Sequence, residues 1–291
     1  MTTPGSLHDL VMGDAGSGAG APSVLRALNA VQQRLHGGAD HSSTGMRAIA
    51  RDLLHAVELA PDVALACVLR NQVAGSYAVR HSIETAVIAS LVAQRANIRP
   101  PQILSLAAAS LALHTVERHE RDNIHLLRCA DADDNEWFAC ILLAHADPET
   151  ADSPCTTSAR VLRMADRYCA AISARNYRRS LPPDEALRTV MAEASDASLA
   201  EAFRLEIGPY PPGTVVRLAG GEMGVVAHRD GGLPEVYCLR DAHGRALPVP
   251  QPRHVGRDDG ESGCTIAAAI AEDEAELRVP MKQVWGPLAS L

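Results

Sequence analysis

Lysine is almost absent from this sequence, and it has no paired-cysteine motif and no long apolar run. Lys282 is the only lysine, so the positive charge comes almost entirely from arginine. The 27 basic residues are outnumbered by 35 acidic ones, which gives a formal net charge of −8. A general nucleic-acid binder needs a basic surface that neutralises phosphates. We therefore expect no nucleic-acid partner.

The cysteines support neither a disulfide framework nor a zinc-binding motif. There are seven of them, an odd number, and no two are spaced as CxxC. Secreted disulfide-rich domains and zinc ribbons both use paired cysteines at short, regular spacings. The pattern favours a reducing compartment, and we expect a cytoplasmic protein.

The apolar segments are too short to cross a bilayer. The longest stretches, Ile83–Ala93 and Ile103–Leu113, fall well below the roughly 20 residues that a membrane helix needs. The first residues lack the basic start and apolar run of a targeting signal. We expect no membrane partner and no targeting segment. With 47% apolar residues, the chain can bury one large core or two modest ones.

Apolar residues recur with a helical period through most of the first two thirds of the sequence. Residues 1–22 are rich in Gly, Ser, Thr and Pro and have no apolar period, which predicts a flexible N-terminal arm. From residue 23, apolar residues recur at helical spacing. The pattern predicts helices over about 24–36, 44–59, 62–74, 78–97, 102–119, 134–146 and 156–174, and two shorter ones between 183 and 206.

The pattern changes after Gly208, where Pro211, Pro212 and Gly213 interrupt the helical period. Three β-branched stretches follow between glycine turns, at 214–218, 224–228 and 235–240, and Asp241–Gly244 is typical of a hairpin tip. We therefore predict a mainly α protein, with a helical domain over 23–206 and a small C-terminal β appendix, SH3-like in its curl, over 207–291.

Four chemically active side chains lie on four successive predicted helices. The set combines imidazole and carboxylate, which divalent metals prefer, and facing helices can bring such residues together. For any one histidine, a half-buried imidazole bonded to a carbonyl remains the structural alternative. The candidate ligands are His81, His114, His145 and Asp166.

The order of these residues resembles the HD-GYP domain, a family of helical phosphohydrolases that open cyclic di-GMP in bacteria. The segment from Asp166 to Arg179 is similar to the family's Ala-Asp and Ser-x-Arg-x-Tyr-Arg stretch, and 207–218 with 221–226 is similar to its C-terminal strand motif. The similarity covers about residues 60–250. The resemblance implies an HD-domain-like helical bundle, with His81 in the first metal-ligand helix.

Several positions depart from the family pattern. Thr115 stands where the family has the bridging aspartate, Ala144 where it has a histidine, and Tyr77 where it has a glutamate. Residues 151–154 replace the Gly-x-Gly-Tyr-Pro loop that contacts substrate and partners. Two cations about 3.5–4 Å apart need a bridging negative charge, which threonine cannot supply. We expect no catalytic residues, and either no cofactor or one divalent metal, Fe or Mn, at the remaining ligands.

The positions that bind substrate phosphate in the family are better preserved in this chain. Arg175 and Arg178 match positions that grip phosphate oxygens in the family, a task that suits guanidinium groups. The alternative is an ordinary solvated helix end. The leading hypothesis is a non-catalytic regulatory or interaction protein in cyclic di-GMP signalling, with a protein partner. The alternatives are a phosphohydrolase, acting on cyclic di-GMP or another phosphoester through a mononuclear site, and a non-catalytic cyclic di-GMP receptor.

Overall fold

Eight α-helices precede a five-stranded sheet, and a ninth follows it, in the part of the chain that the computed structural model describes: residues 22–37, 43–113, 156–174, 179–230, 233–256 and 264–291. A short 3-10 helix, Gly286–Ala289, follows the ninth. The helices are α1 Val24–His36, α2 Ser43–Leu59, α3 Pro61–Leu69, α4 Tyr77–Arg95, α5 Pro100–Ala112, α6 Thr156–Ile172, α7 Pro183–Ala192, α8 Ala197–Glu206 and α9 Met281–Trp285.

Local sequence signals explain where these helices begin. The side chains of Ser23, Ser76 and Asp196 cap α1, α4 and α8 by accepting hydrogen bonds from backbone N–H groups in the first turn. Proline opens α3, α5 and α7, where its missing N–H costs nothing. Helices α1 to α8 occupy the regions that the apolar period predicts, except that α3 ends at Leu69 instead of about residue 74, and α9 was not predicted. The helix predicted at 134–146 and the arm up to residue 21 lie outside the described residues.

The sheet is entirely antiparallel, with strand order β4-β3-β2-β1-β5. The strands are β1 Val215–Leu218, β2 Met223–Asp230, β3 Leu233–Arg240, β4 Ala246–His254 and β5 Ile266–Ile270. The hairpin tip predicted at Asp241–Gly244 connects β3 and β4, and the N–H of Gly244 donates to the carbonyl of Asp241 there.

The predicted fold class, a mainly α HD-domain-like bundle with a small SH3-like β appendix, is wrong. Of the described residues, 56% are helical and 16% lie in strands, so the chain is a mixed α/β protein. The sequence pattern missed β4 and β5, which extend the sheet to five strands. No helix in the described ranges has both the length and the apolar character needed to span a membrane.

One apolar core connects the helices to the sheet. Tyr168 of α6 and Phe203 of α8 meet edge to face, with ring centroids 5.6 Å apart, in the same cluster as Val215 and Val225 of the first two strands. Trp285 of α9 also belongs to it, and its indole Nε1 donates to the carbonyl of Ala227 at 3.0 Å. The predicted boundary at 206/207 follows the end of α8, but the apolar packing continues across it.

Strand β4 forms one edge of the sheet and contains three prolines, Pro248, Pro250 and Pro252. Pro252 lies opposite Tyr237 of β3. Because proline has no N–H, this cannot be a hydrogen-bonded pair, and the backbone nitrogen of Pro252 faces the open edge. The other two prolines lie where the β3–β4 register shifts. This edge therefore offers few donors to an added strand.

An ion pair joins the sheet to the helices. Nδ1 of His228 on β2 lies 3.0 Å from Oδ2 of Asp62 in the first turn of α3. The hydrogen bond to Asp62 raises the pKa of His228 above the ordinary value of 6.5, although partial burial lowers it, and the nearby charges of Asp62 and Glu235 raise it further. The two side chains are 44% and 33% exposed, which keeps the contribution of the pair to stability below about 1 kcal/mol.

The stabilisation from this pair should depend on pH. Because the pKa is raised in the folded state, the contribution is complete below about pH 6.5 and disappears as the pH rises through the folded-state value. We expect His228→Gln to lower the melting temperature relative to wild type at pH 6 and to have less effect at pH 9. His243→Gln, at the exposed hairpin tip, is the matched control. An equal effect of His228→Gln at both pH values would contradict this origin.

Candidate functional site

The candidate site lies where α4 packs against α6. The cap at Ser76 starts α4 at Tyr77 and so places His81 in the second turn. Residues 81–93 of α4 are all buried, which fits a helix with neighbours on several sides. Helix α6 buries residues at helical spacing, and Asp166 lies at the border of that buried stripe.

The structure brings His81 and Asp166 together, although they are 85 residues apart in sequence. Nε2 of His81 lies 2.9 Å from Oδ1 of Asp166. The histidine side chain is 2% exposed and the aspartate 31%, so the pair extends from the core toward solvent. The distance fits a hydrogen bond. It also fits two neighbouring ligands of one cation with bonds of roughly 2.0–2.2 Å.

An aromatic ring and a cation adjoin this pair. The ring of Tyr77 stacks on the imidazole of His81, with centroids 5.2 Å apart and an interplanar angle of 13°. The guanidinium carbon of Arg80 lies 5.8 Å from the centroid of the Tyr77 ring. Where the resemblance places a glutamate of the metal centre, this chain therefore has a neutral ring beside the histidine, with a positive charge next to that ring.

A buried carboxylate, Glu84, lies one turn beyond His81 on α4. Its side chain is 1% exposed, and Nε of Arg80 lies 3.5 Å from one oxygen. Burial raises the pKa of Glu84 to about 8, Arg80 opposes the shift, and the charge of Glu272 adds to it. At neutral pH the group is therefore mostly a neutral acid.

Across the contact between α4 and α6, the buried thiol of Cys169 lies near Glu84 and Asp166. Burial raises its pKa well above the ordinary value, and the negative charges of Glu84 and Asp166 raise it further. A thiol in this state is not a thiolate nucleophile. Cys67, Cys169 and Cys238 are buried and form no disulfide.

The other predicted site residues are not among those that the structure describes. His114 and His145, the remaining candidate ligands, lie outside the described residues, and so do Arg175 and Arg178, the candidate phosphate ligands. Within the described ranges, no three His, Cys, Asp or Glu side chains are grouped as a metal site would require. His81 and Asp166 suit two positions of a four-coordinate site, and the resemblance assigns the other two to His114 and His145.

Comparisons with known proteins leave the family assignment as a resemblance. No family model, no curated protein and no solved structure matches this chain.

Sequence reasoning did not identify Glu84 as part of this site. A carboxylate in a helix usually faces solvent, and the sequence does not show that α4 is covered on that side. Its spacing from His81 was a usable signal, because residues three apart lie on neighbouring parts of a helix surface. A carboxylate one turn from a buried histidine was therefore a candidate for the same cluster.

Proposed function

We propose that this protein is a non-catalytic relative of the HD-GYP domain, acting in the cytoplasm as a regulatory or interaction protein of bacterial cyclic di-GMP signalling. The proposal rests on the motifs shared with that family and on the loss of its chemical groups. The observation that carries it is the surroundings of His81. The imidazole contacts Asp166 and stacks on Tyr77, while Arg80 lies beside that ring.

These surroundings oppose a second metal ion. A bimetal centre concentrates positive charge and needs carboxylates to offset it. Tyr77 contributes no charge in place of the family's glutamate, and Arg80 adds a cation next to it. Thr115, in place of the bridging aspartate, removes the other compensating charge. The family is thought to use two metal ions as Lewis acids on the scissile phosphate. This chain lacks the carboxylates that would hold the second one.

The test is metal content by mass spectrometry together with cyclic di-GMP turnover, on the full chain supplied with manganese or iron. We expect at most about one metal per chain and no turnover above the buffer rate. An active HD-GYP domain, prepared in the same way, serves as the control for metal loading. Two metals per chain with turnover would refute the proposal.

A mononuclear phosphohydrolase is the second candidate, and the 2.9 Å separation of His81 and Asp166 favours it. In that case His145→Ala and Asp166→Ala each abolish metal uptake and any phosphatase activity. Glu193→Ala, which changes an exposed carboxylate, is the control. If both site variants leave metal content and activity unchanged, the four residues do not form a metal site.

Binding of cyclic di-GMP without turnover is the third candidate, through Arg175 and Arg178. Calorimetry separates this receptor role from a role limited to protein contacts. Binding by wild type that is lost in Arg175→Ala would support the receptor role. The absence of a binding heat at high micromolar cyclic di-GMP would refute it.

A further inference from the structure

A cleft of about 1070 Å³ lies beside the end of α3, on the side that faces the last residues of the chain. Arg70 and Gln72 line one wall, and residues 277–283 and 289–291 line the other. We call it the C-terminal cleft. It shares no residue with the His81–Asp166 pair, so a ligand bound in it would be independent of the proposed function.

The charged side chains that line this cleft all have the same sign. They are Arg70, Arg278 and Lys282, and no Asp or Glu side chain is among the lining residues. In a chain with a net charge of −8, a concave surface with only cationic side chains is a departure from the average. The three cations outnumber the carboxylate of Leu291 in the lining, and a concave surface with a net positive charge attracts ligands of opposite charge.

These three cations also lack partners in the part of the chain that the structure describes. None of them forms a side-chain hydrogen bond or an ion pair within 4 Å there, and neither does the carboxylate of Leu291. Several arginines elsewhere are paired, as in Arg95 with Glu206 and Arg253 with Glu222. The cleft therefore holds guanidinium and ammonium donors that the described residues leave available.

Arg70 is the least solvated of the three. Burial lowers its pKa, and the charge of Glu272 compensates only in part. A half-buried guanidinium without a hydrogen-bonded anion costs free energy in the folded state. An anion bound in the cleft would supply the missing partner, while Val279 and Leu291, which also line the cleft, provide apolar surface for a carbon skeleton.

We propose that the C-terminal cleft binds a small organic polyanion that carries at least two phosphate or carboxylate groups, held by Arg70, Arg278 and Lys282. Arg70 provides a planar guanidinium for one anionic group, as such forks do for carboxylates and phosphates. Lys282 and Arg278, both exposed, hold the second group at the mouth of the cleft. The volume of about 1070 Å³ lies slightly above the usual range of small-molecule pockets, about 300–1,000 Å³.

The test is calorimetry on the full chain at low salt, with pyrophosphate and citrate as separate probes for phosphate and carboxylate ligands. We expect a dissociation constant below about 1 mM for at least one probe. Arg70→Gln should weaken binding about tenfold and Lys282→Gln about threefold, because a charge-assisted contact is lost in each. Arg245→Gln removes an exposed arginine at the hairpin tip, outside the cleft, and should leave binding unchanged.

Two results would overturn the proposal. One is a dissociation constant above about 1 mM for both probes, which is too weak for a built site. The other is an equal loss of binding in Arg245→Gln and in the two cleft variants, which would mean that only the overall charge matters. Because Lys282 is exposed, its variant keeps the test valid even if Arg70→Gln impairs folding.

Discussion

Gly213→Ala is expected to destabilise the protein by about 3 kcal/mol or more. Gly213 precedes β1 and has φ +96°, where a side chain strains the backbone. A Cβ at this position would lie 2.8 Å from Cα of Ala66 and 2.8 Å from Cβ of Leu69, both in α3. Since one contact is with helix backbone, relief requires the sheet to move away from the helices.

Two other glycines separate the clash from the backbone strain. Gly244 also has a positive φ, +77°, but a Cβ there would meet nothing within 4 Å. Gly220 has open space and no positive φ. In urea unfolding we expect Gly244→Ala to cost about 1 kcal/mol and Gly220→Ala to be close to neutral. If Gly213→Ala costs no more than Gly244→Ala, the contact between Gly213 and α3 is looser than the structure shows.

Glu84→Gln is expected to stabilise the protein, by about 3 kcal/mol at pH 7. In the folded state the pKa of Glu84 is about 8, against 4.5 for an ordinary glutamate. Between these values the folded state holds a proton that the unfolded state has released, so stability falls as the pH rises from about 4.5 to about 8. The amide of glutamine resembles the neutral acid and takes up no proton.

Urea unfolding at pH 5, 6, 7 and 8 tests this origin. The advantage of Glu84→Gln over wild type should be small at pH 5 and should grow up to pH 8. Glu276→Gln, which changes an exposed glutamate, should show no such trend. A benefit that is independent of pH, or a loss at every pH, would show that the buried carboxyl stays ionised beside Arg80 in the folded protein.

Helices α1 to α8 could be predicted because their apolar residues recur at helical spacing, and capping side chains or prolines mark the start of several of them. Strands β1 to β3 could be predicted from β-branched residues between glycines. Strand β4 contains three prolines and β5 contains Ala267–Ala269, and neither composition favours a strand. Both strands form because they pair with strands already in place, a long-range effect that local patterns do not show.

The candidate site could be predicted only in part. The order of His81 and Asp166 on two apolar helices was enough to suggest that they meet, and they lie 2.9 Å apart. The stacking of Tyr77, the burial of Glu84 and the gathering of cations in the C-terminal cleft were not foreseen. Each depends on which side of a helix or segment is covered, and the sequence alone does not specify those neighbours.

The prolines of β4 limit how copies of this protein can associate through their sheets. Filament growth by strand addition requires two edges that can pair, one for each neighbour in the series. The β4 edge is short of donors, and in the described ranges only β5 offers a second edge. Two copies could join through β5, but their outer edges would both be β4. The shortage of donors on the described β4 edge therefore disfavours growth beyond a dimer by this route.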